Sequence, residues 1–206
     1  MEEFSSCQAY LSEWGVSEEV LPRLDRYLDI LWEQNQRLNL FSRKMTKQDL
    51  VHMHLLDSLL GLPFLPDVSH VTDLGTGGGF PAIPLALCAP DTVFTLVEKS
   101  PKKAAFLTGL KDLAPNIRVI NDLVPKGIDD QTELVISRAF KPLKVTLELT
   151  EAYLEKKGSY LLWKGLASTI QDEIRGSKRF LKHQKLQIHR LQHPTRQVER
   201  HLVRIN

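Results

Sequence analysis

Leu21, Leu24, Leu28 and Leu31 recur at intervals of three and four after Ser17-Glu-Glu, which predicts an amphipathic helix with an N-terminal cap signal that fades near Asn35 to Asn39. A second helix is predicted from Thr46, with Asp49 three positions on and Leu50, Leu55 and Leu59 leading to Gly61 and Pro63. From His70 the period shortens. Val71–Leu74 and Thr92–Glu98 read as strands, and Ile117–Asn121, Glu133–Ser137 and Ser159–Trp163 as further ones. Between them stand helix signals: Pro81 to Cys88 with proline in the first turn, Ser100-Pro101 through Leu113, a start at Pro142, and another after Gly165. Gln184–Leu191 and Val198–Ile205 read as a closing antiparallel pair around the His193-Pro194 turn.

Strand and helix alternate, so the fold class expected is α/β: a doubly wound, mostly parallel, seven-stranded, Rossmann-like sheet covered on both faces. Residues 1–66 are expected to form an N-terminal helical cap that shares one core with a sheet domain over residues 67–206. The chain of 206 residues is 42% hydrophobic and 25% charged, enough to bury a full core and too apolar for a disordered chain. No stretch approaches the run of about 18 apolar residues of a membrane span, and Met1-Glu-Glu-Phe-Ser-Ser lacks the basic and apolar regions of a signal peptide. A cytoplasmic location and no membrane partner are therefore expected. Cys7 and Cys88 are too few for a disulfide framework or a CxxC zinc cluster.

The net charge of +2 hides an asymmetry. Residues 1–150 hold 15 Lys/Arg against 20 Asp/Glu, a balance of −5, and residues 151–206 hold 12 against 5, a balance of +7. A basic end beside an acidic body suits a polyanionic partner, because cations that neutralise phosphates release condensed counterions. On charge alone, the solvated rim of a basic helix fits equally well.

Asp73-Leu-Gly75-Thr-Gly77-Gly-Gly79-Phe80-Pro81-Ala82 lies between the first strand and its helix, where open parallel sheets bind ligands. A Walker loop needs Gly-Lys-Ser/Thr where Phe80-Pro81 stands, which argues against nucleotide hydrolysis. Gly77-x-Gly79-x-x-Ala82 does fit a dinucleotide fingerprint, with Glu98 in the place of the ribose acid. Asp73, however, stands where dinucleotide sites have an apolar residue. A carboxylate there can face a cationic amino acid, and Glu98 can accept from both ribose hydroxyls, a pattern that suits S-adenosylmethionine better. A turn cap for Asp73 and a solvated strand end for Glu98 are the plainer alternatives.

Asp73-x-Gly-Thr-Gly-x-Gly-Phe-Pro-x-Ile-Pro84, Lys102-Lys-x-x-Phe-Leu107, Ile136-Ser-Arg-Ala-Phe140, Lys164-Gly165 and Arg200-His-Leu-Val203 together resemble the glucose-inhibited division protein B family. Asn35-x-x-x-Asn39-Leu40-x-Ser42 and His54-x-x-Asp57-Ser58 in the cap extend the likeness over nearly the whole chain. The resemblance implies a class I S-adenosylmethionine-dependent methyltransferase acting on N7 of a guanine in the decoding region of 16S ribosomal RNA. It implies that Gly75 and Phe80 touch the cofactor beside Asp73 and Gly77, that Glu98 holds the ribose, and that Arg138 lies by the cofactor and RNA pocket. The adenine segment maps onto Val124. There the family commonly has Arg and then Val-Glu, whereas this chain reads Asp122-Leu-Val-Pro125, leaving backbone groups near Val124 to serve the adenine.

Guanine N7 carries a free lone pair, so no acid or base is required, and alignment with exclusion of water is expected to supply the acceleration. Arg138 is expected to position the RNA by gripping a phosphate or base edge. Lys164 ends a strand on the ligand edge and is expected at RNA, with Trp163 in the core. Lys102 and Lys103 oppose the dipole of the helix they open, which suits phosphate contact as well as solvation. His54 is expected either to join Asp57 in a structural hydrogen bond or to face RNA, and Arg200 to contact RNA or brace the last strand. His52-x-His54 points to different helix faces, so no metal is expected. The partner expected is 16S rRNA or the small ribosomal subunit, bound by a monomer. A small-molecule methyltransferase and a non-catalytic nucleotide-binding module are the alternatives.

Overall fold

A computed structural model describes residues 2–124 and 126–206, so Met1, and Pro125 at the end of the expected adenine segment, lie outside the described residues. The helices are α1 (Glu2–Ser5), α2 (Gln8–Glu13), α3 (Leu21–Leu38), α4 (Lys47–Leu50), α5 (Asp57–Leu59), α6 (Ala82–Cys88), α7 (Pro101–Thr108), α8 (Leu143–Leu149), α9 (Glu151–Glu155), α10 (Ala167–Gly176) and α11 (Lys178–Leu181). The strands are β1 (His70–Leu74), β2 (Val93–Val97), β3 (Ile117–Ile120), β4 (Leu134–Arg138), β5 (Ser159–Lys164), β6 (Leu186–Leu191) and β7 (Arg200–Ile205). They form one sheet in the order β3-β2-β1-β4-β5-β7-β6. The first five run parallel, and β7 inserts antiparallel between β5 and β6.

Because side chains alternate across a strand, each buried strand feeds two cores. Leu134, Ile136, Leu161 and Trp163 pack with Leu24, Leu28 and Leu31 of α3 and with α6. Val135, Tyr160 and Leu162 pack on the opposite face with Leu143, Leu147 and Ile170 of α8 and α10. The N-terminal helices, α6 and α7 therefore share the core on one face of the sheet. No helix among the described residues is long and apolar enough to cross a membrane.

The cap departs from the sequence pattern at two places, its first long helix starting later and its second one widening, while that first helix ends where the pattern places it. The first long helix begins at Leu21 rather than at Ser17, whose carbonyl only closes a turn with Val20 N at 3.0 Å. At its other end Asn39 is left-handed (φ 51°), and the buried Asn35 side chain accepts from Leu40 N (2.7 Å) and Phe41 N (3.0 Å), turning the chain away. Thr46 and Asp49 do form a reciprocal capping box, but α4 then widens into a π-helical turn over Val51–Leu56 before α5. The helix predicted through Leu113 ends at Thr108, with Leu110 N and Leu113 N bonded in tighter turns. The helices α1, α2 and α11 are too short to show a hydrophobic period, which is why pattern reading misses them.

From behind, α3 also fixes the glycine turn. Tyr27 donates its hydroxyl to Gly78 O at 2.8 Å. Gly79, at φ +106°, has no room for a side chain: a Cβ there would stand 2.6 Å from Ile83 Cγ1 and 2.9 Å from the Tyr27 hydroxyl.

Candidate active site

The carboxyl ends of β1, β2, β3 and β4 open on a cavity of about 520 Å³ lined by Gly75, Gly77, Glu98, Val124, Phe140 and neighbouring residues. Gly75 (φ +67°) lies so close under Phe140 that a Cβ would meet the ring at 2.5 Å. Glu98 is 7% exposed and held from both sides: Oε2 accepts from Gly77 N at 3.0 Å and Oε1 from Ser100 N at 2.8 Å. Ser100 thus donates its amide to Glu98, while its hydroxyl makes no cap to α7. Asn121 Nδ2 donates to Glu98 O at 2.8 Å, tying the acid to the end of β3.

Asp73 sits in the central strand between β2 and β4, 1% exposed. Its Oδ2 accepts from the Thr76 hydroxyl at 2.5 Å, and its Oδ1 is buried with no hydrogen-bond partner. Burial pushes its carboxyl up to about 7, against the opposing effects of the Thr76 hydroxyl and Arg138. The Ala82 amide also acts to lower this carboxyl, so the chain itself supplies part of its stabilisation.

A second cavity, about 640 Å³, lies beyond Phe140 and shares Ala139, Phe140 and Lys141 with the first. His54, Asp57, Arg138, Lys164, Glu173 and Arg200 line it together with Lys141 and Thr169. Arg138, read from sequence as a phosphate or base-edge grip by the cofactor, turns inward instead. Its Nη1 donates to Asp57 Oδ2 (3.0 Å) and Met53 O (3.1 Å), and its Nη2 meets His54 Nδ1. The cause is Asp57, nearly buried in α5, which also accepts from Arg200 Nε at 2.7 Å. Burial pulls the Arg138 guanidinium down from its ordinary value and Asp57 opposes that. Burial, with Arg138 and Arg200 adding to it, drives His54 down to about 3, so its ring is neutral. Arg138 donates to Nδ1, which leaves the ring proton on Nε2, 3.2 Å from Met45 Sδ.

Of the expected cofactor residues, Gly75, Gly77, Glu98 and Val124 are brought to the first cavity. Asp73, buried at the end of β1, is not among its lining, and neither is Phe80. Its ring packs at 5.4 Å from Tyr27 and 5.1 Å from His54, with the Arg138 guanidinium over it at 5.1 Å. Lys102 is exposed on the first turn of α7, and its neighbour Lys103 is the one that lines the cavity. Lys164 is bonded to Glu173 at 2.7 Å, and Arg200 to Asp57, so both reach the second cavity already paired. Trp163 is 4% exposed and donates to Asp57 O at 3.0 Å. His52 pairs with Thr195 Oγ1 at 2.7 Å, away from His54, and no group of three or more His, Cys, Asp or Glu among the described residues could hold a metal. Sequence reading missed Glu173. It lies on a helix whose charged face carries no motif, and its partner Lys164 is nine residues away on another element.

A sheet of this order, with a glycine turn after β1 and an acid closing β2, defines the class I S-adenosylmethionine-dependent methyltransferases. The fold is shared with fibrillarin from Aeropyrum pernix in complex with S-adenosyl-L-methionine (TM-score 0.57, 15% identity, 73% of each chain). It is shared also with a precorrin-6y C5,15-methyltransferase from Geobacter metallireducens (TM-score 0.52, 17% identity, 80% of this chain and 91% of that one). In sequence, the chain is 40% identical over 205 residues, 99% of each chain, to ribosomal RNA small subunit methyltransferase G 1 of Bdellovibrio bacteriovorus. It is 36% identical over 191 residues, 91% of this chain and 89% of the other, to ribosomal RNA small subunit methyltransferase G of Neisseria gonorrhoeae. The family described as rRNA small subunit methyltransferase G matches residues 20–203, and the chain belongs to it.

The first cavity fits the cofactor of this class. Glu98, clamped by two backbone amides, keeps lone pairs for two ribose hydroxyls. Val97, Val124, Leu149 and Phe140 offer apolar walls for a base, and Asp73 is buried at the end of β1, next to the glycine turn.

Proposed function

We propose that the protein methylates N7 of a guanine in 16S rRNA of the small ribosomal subunit, with S-adenosylmethionine as donor. The observation that carries the choice of atom is the filled state of Asp57 and His54, the groups of the second cavity that Arg138 engages, while Glu173 is held in an ion pair with Lys164. Both Asp57 oxygens accept from arginines, and His54 is neutral with its free lone pair already taken by Arg138. Neither is left to remove a proton. An exocyclic amine or a ribose hydroxyl needs a proton taken from it during methyl transfer, whereas N7 of guanine offers its lone pair directly.

When bound, S-adenosylmethionine supplies a methyl group on a positively charged sulfur. The chain's own residues then have three tasks. Glu98 holds the ribose, and Asp73 pairs with the ammonium. Ala139, Phe140 and Lys141 form the rim across which the reacting atoms meet, with Phe140 over Gly75 excluding water. Ala139 is left-handed (φ 55°), which turns the chain sharply out of β4 and sets Phe140 over the glycine turn.

Transfer of labelled methyl from the donor to undermethylated small-subunit particles, followed by digestion to nucleosides, is expected to place the label in 7-methylguanosine. Label in a ribose or an exocyclic amine would refute the assignment.

Asp73 makes the reading testable by pH as well. With its carboxyl raised to about 7, Asp73 is partly protonated at neutrality. Pairing with an ammonium favours the carboxylate, so binding of the cofactor or its demethylated product expels a proton, and affinity rises with pH. Below about pH 7 the dissociation constant is expected to worsen by up to about tenfold per unit, levelling off above about pH 8. Calorimetry with the demethylated product checks this, and Asp73→Asn is expected to bind more weakly with that pH dependence lost. A flat profile for the native protein would remove Asp73 from the ammonium site.

A further inference from the structure

Lys164 and Glu173 meet at the side of the second cavity, 15% and 18% exposed in their side chains. Both bonds made by the carboxylate fall on one oxygen: Oε2 accepts from Lys164 Nζ at 2.7 Å and from Leu143 N, at the start of α8, at 3.0 Å. Oε1 accepts from none of the described residues. Lys164 gives a second hydrogen to Lys141 O at 3.2 Å and keeps a third. The pair therefore presents one open N–H beside one open carboxylate oxygen, in a cavity with apolar sides from Pro142, Trp163, Leu166 and Ile170.

We propose that Lys164 and Glu173 read the Watson–Crick edge of the target guanine, with Lys164 donating to O6 and Glu173 Oε1 accepting from N1–H. The proposal rests on the guanine N7 reading above and adds how the base is chosen. Guanine carries an acceptor, O6, directly beside a donor, N1–H, which is the complement of the open ammonium and carboxylate. Adenine carries the reverse, an amino group beside an unprotonated N1, so it sets donor against donor and acceptor against acceptor. N7 lies on the other ring from N1. N7 flanks O6 on the side away from N1, so a guanine held by this pair turns N7 away from Glu173 and past Lys164, whose Nζ reaches the Lys141 carbonyl on the rim that both cavities share. Backbone anchoring makes the reader rigid: Glu173 is held by the α8 amide and Lys164 by the Lys141 carbonyl, so neither has to be ordered when the base enters.

Glu173→Gln is the deciding variant. The amide oxygen retains acceptance from Lys164 and Leu143 N, and the amide NH2 takes the place of Oε1, facing N1 with a donor. Single-turnover transfer of labelled methyl is measured on small-subunit particles reconstituted with rRNA carrying either guanosine or adenosine at the target. The rate on guanosine is expected to fall by about 10- to 100-fold. The adenosine-to-guanosine ratio is expected to rise at least about tenfold, while binding of the demethylated cofactor product stays as in the native protein. That ratio does not depend on how much of the variant is folded. An unchanged ratio, with or without a slower rate on guanosine, makes the pair a structural brace and overturns the proposal. A native protein that leaves guanosine particles unlabelled overturns the N7 reading itself and this assignment with it, whereas native labelling of N7 with an unchanged variant ratio overturns only the assignment.

Discussion

Asp57→Ala is expected to lower the free energy of unfolding by about 3–5 kcal/mol, the cost of leaving buried charges without their partner. Asp57 is 4% exposed and, among the described residues, is the one carboxylate that both Arg138 and Arg200 pair with, at 3.0 and 2.7 Å. Arg138 comes from the end of β4, Arg200 from the start of β7 and Asp57 from α5, so this single side chain fastens the cap to two strands on the ligand edge of the sheet. Removing it strands the Arg138 guanidinium, which burial already disfavours and which has only the carbonyls of Met53 and His54 and the neutral His54 ring for company. An exposed ion pair would contribute less than about 1 kcal/mol, so the size of the loss separates a buried strut from a surface contact. Urea denaturation is the measurement: the midpoint is expected to fall with the slope unchanged. A loss under about 1 kcal/mol would show that Arg138 and Arg200 find water on their own, and would return Arg138 to the role of a phosphate grip.

The second large effect concerns the cofactor. Glu98→Ala is expected to weaken binding of the demethylated product about 100-fold or more, since hydrogen bonds to a charged acceptor are each worth about 1.5–3 kcal/mol and two ribose hydroxyls lose theirs. The effect has a second source in the protein itself. Gly77 N and Ser100 N both donate to this carboxylate, so its loss frees the glycine turn and the start of α7 together. Because Tyr27 still holds Gly78 from behind and Asn121 still bonds the Glu98 carbonyl, the ligand-free protein is expected to melt within a few degrees of the native one. Calorimetry beside a thermal melt distinguishes the two quantities. Binding within about fivefold of the native protein would mean that the ribose lies elsewhere.

These two residues also show how differently parts of the site can be read from sequence. Glu98 announces itself: it closes a strand of five apolar-rich residues, and the glycine turn it serves lies one crossover earlier, so local spacing brings them together. Asn35 and the Thr46–Asp49 capping box are legible for the same reason, as their partners lie within six residues. Asp57, Arg138 and Arg200 are each visible in motifs, yet nothing local says that two of them pair with the third across 81 and 143 positions. The inward turn of Arg138 follows from that pairing, while His54 is neutral chiefly through its burial.

By itself the amino-acid order determined the seven strands, the helices between them, the long helix that precedes them and the glycine turn with its acid. Each of these is set by neighbours a few bonds apart, through hydrophobic period, capping chemistry and the backbone freedom of glycine. Only the tertiary structure decided which charges meet, which lone pairs stay open and which side chains face a cavity. Lys164 and Glu173 became a matched donor and acceptor because α10 folds back beside the end of β5, and the orphaned oxygen of Asp73 exists because β1 is buried between two other strands. Such states are fixed by burial and by partners distant in the chain, and a linear pattern carries no record of either.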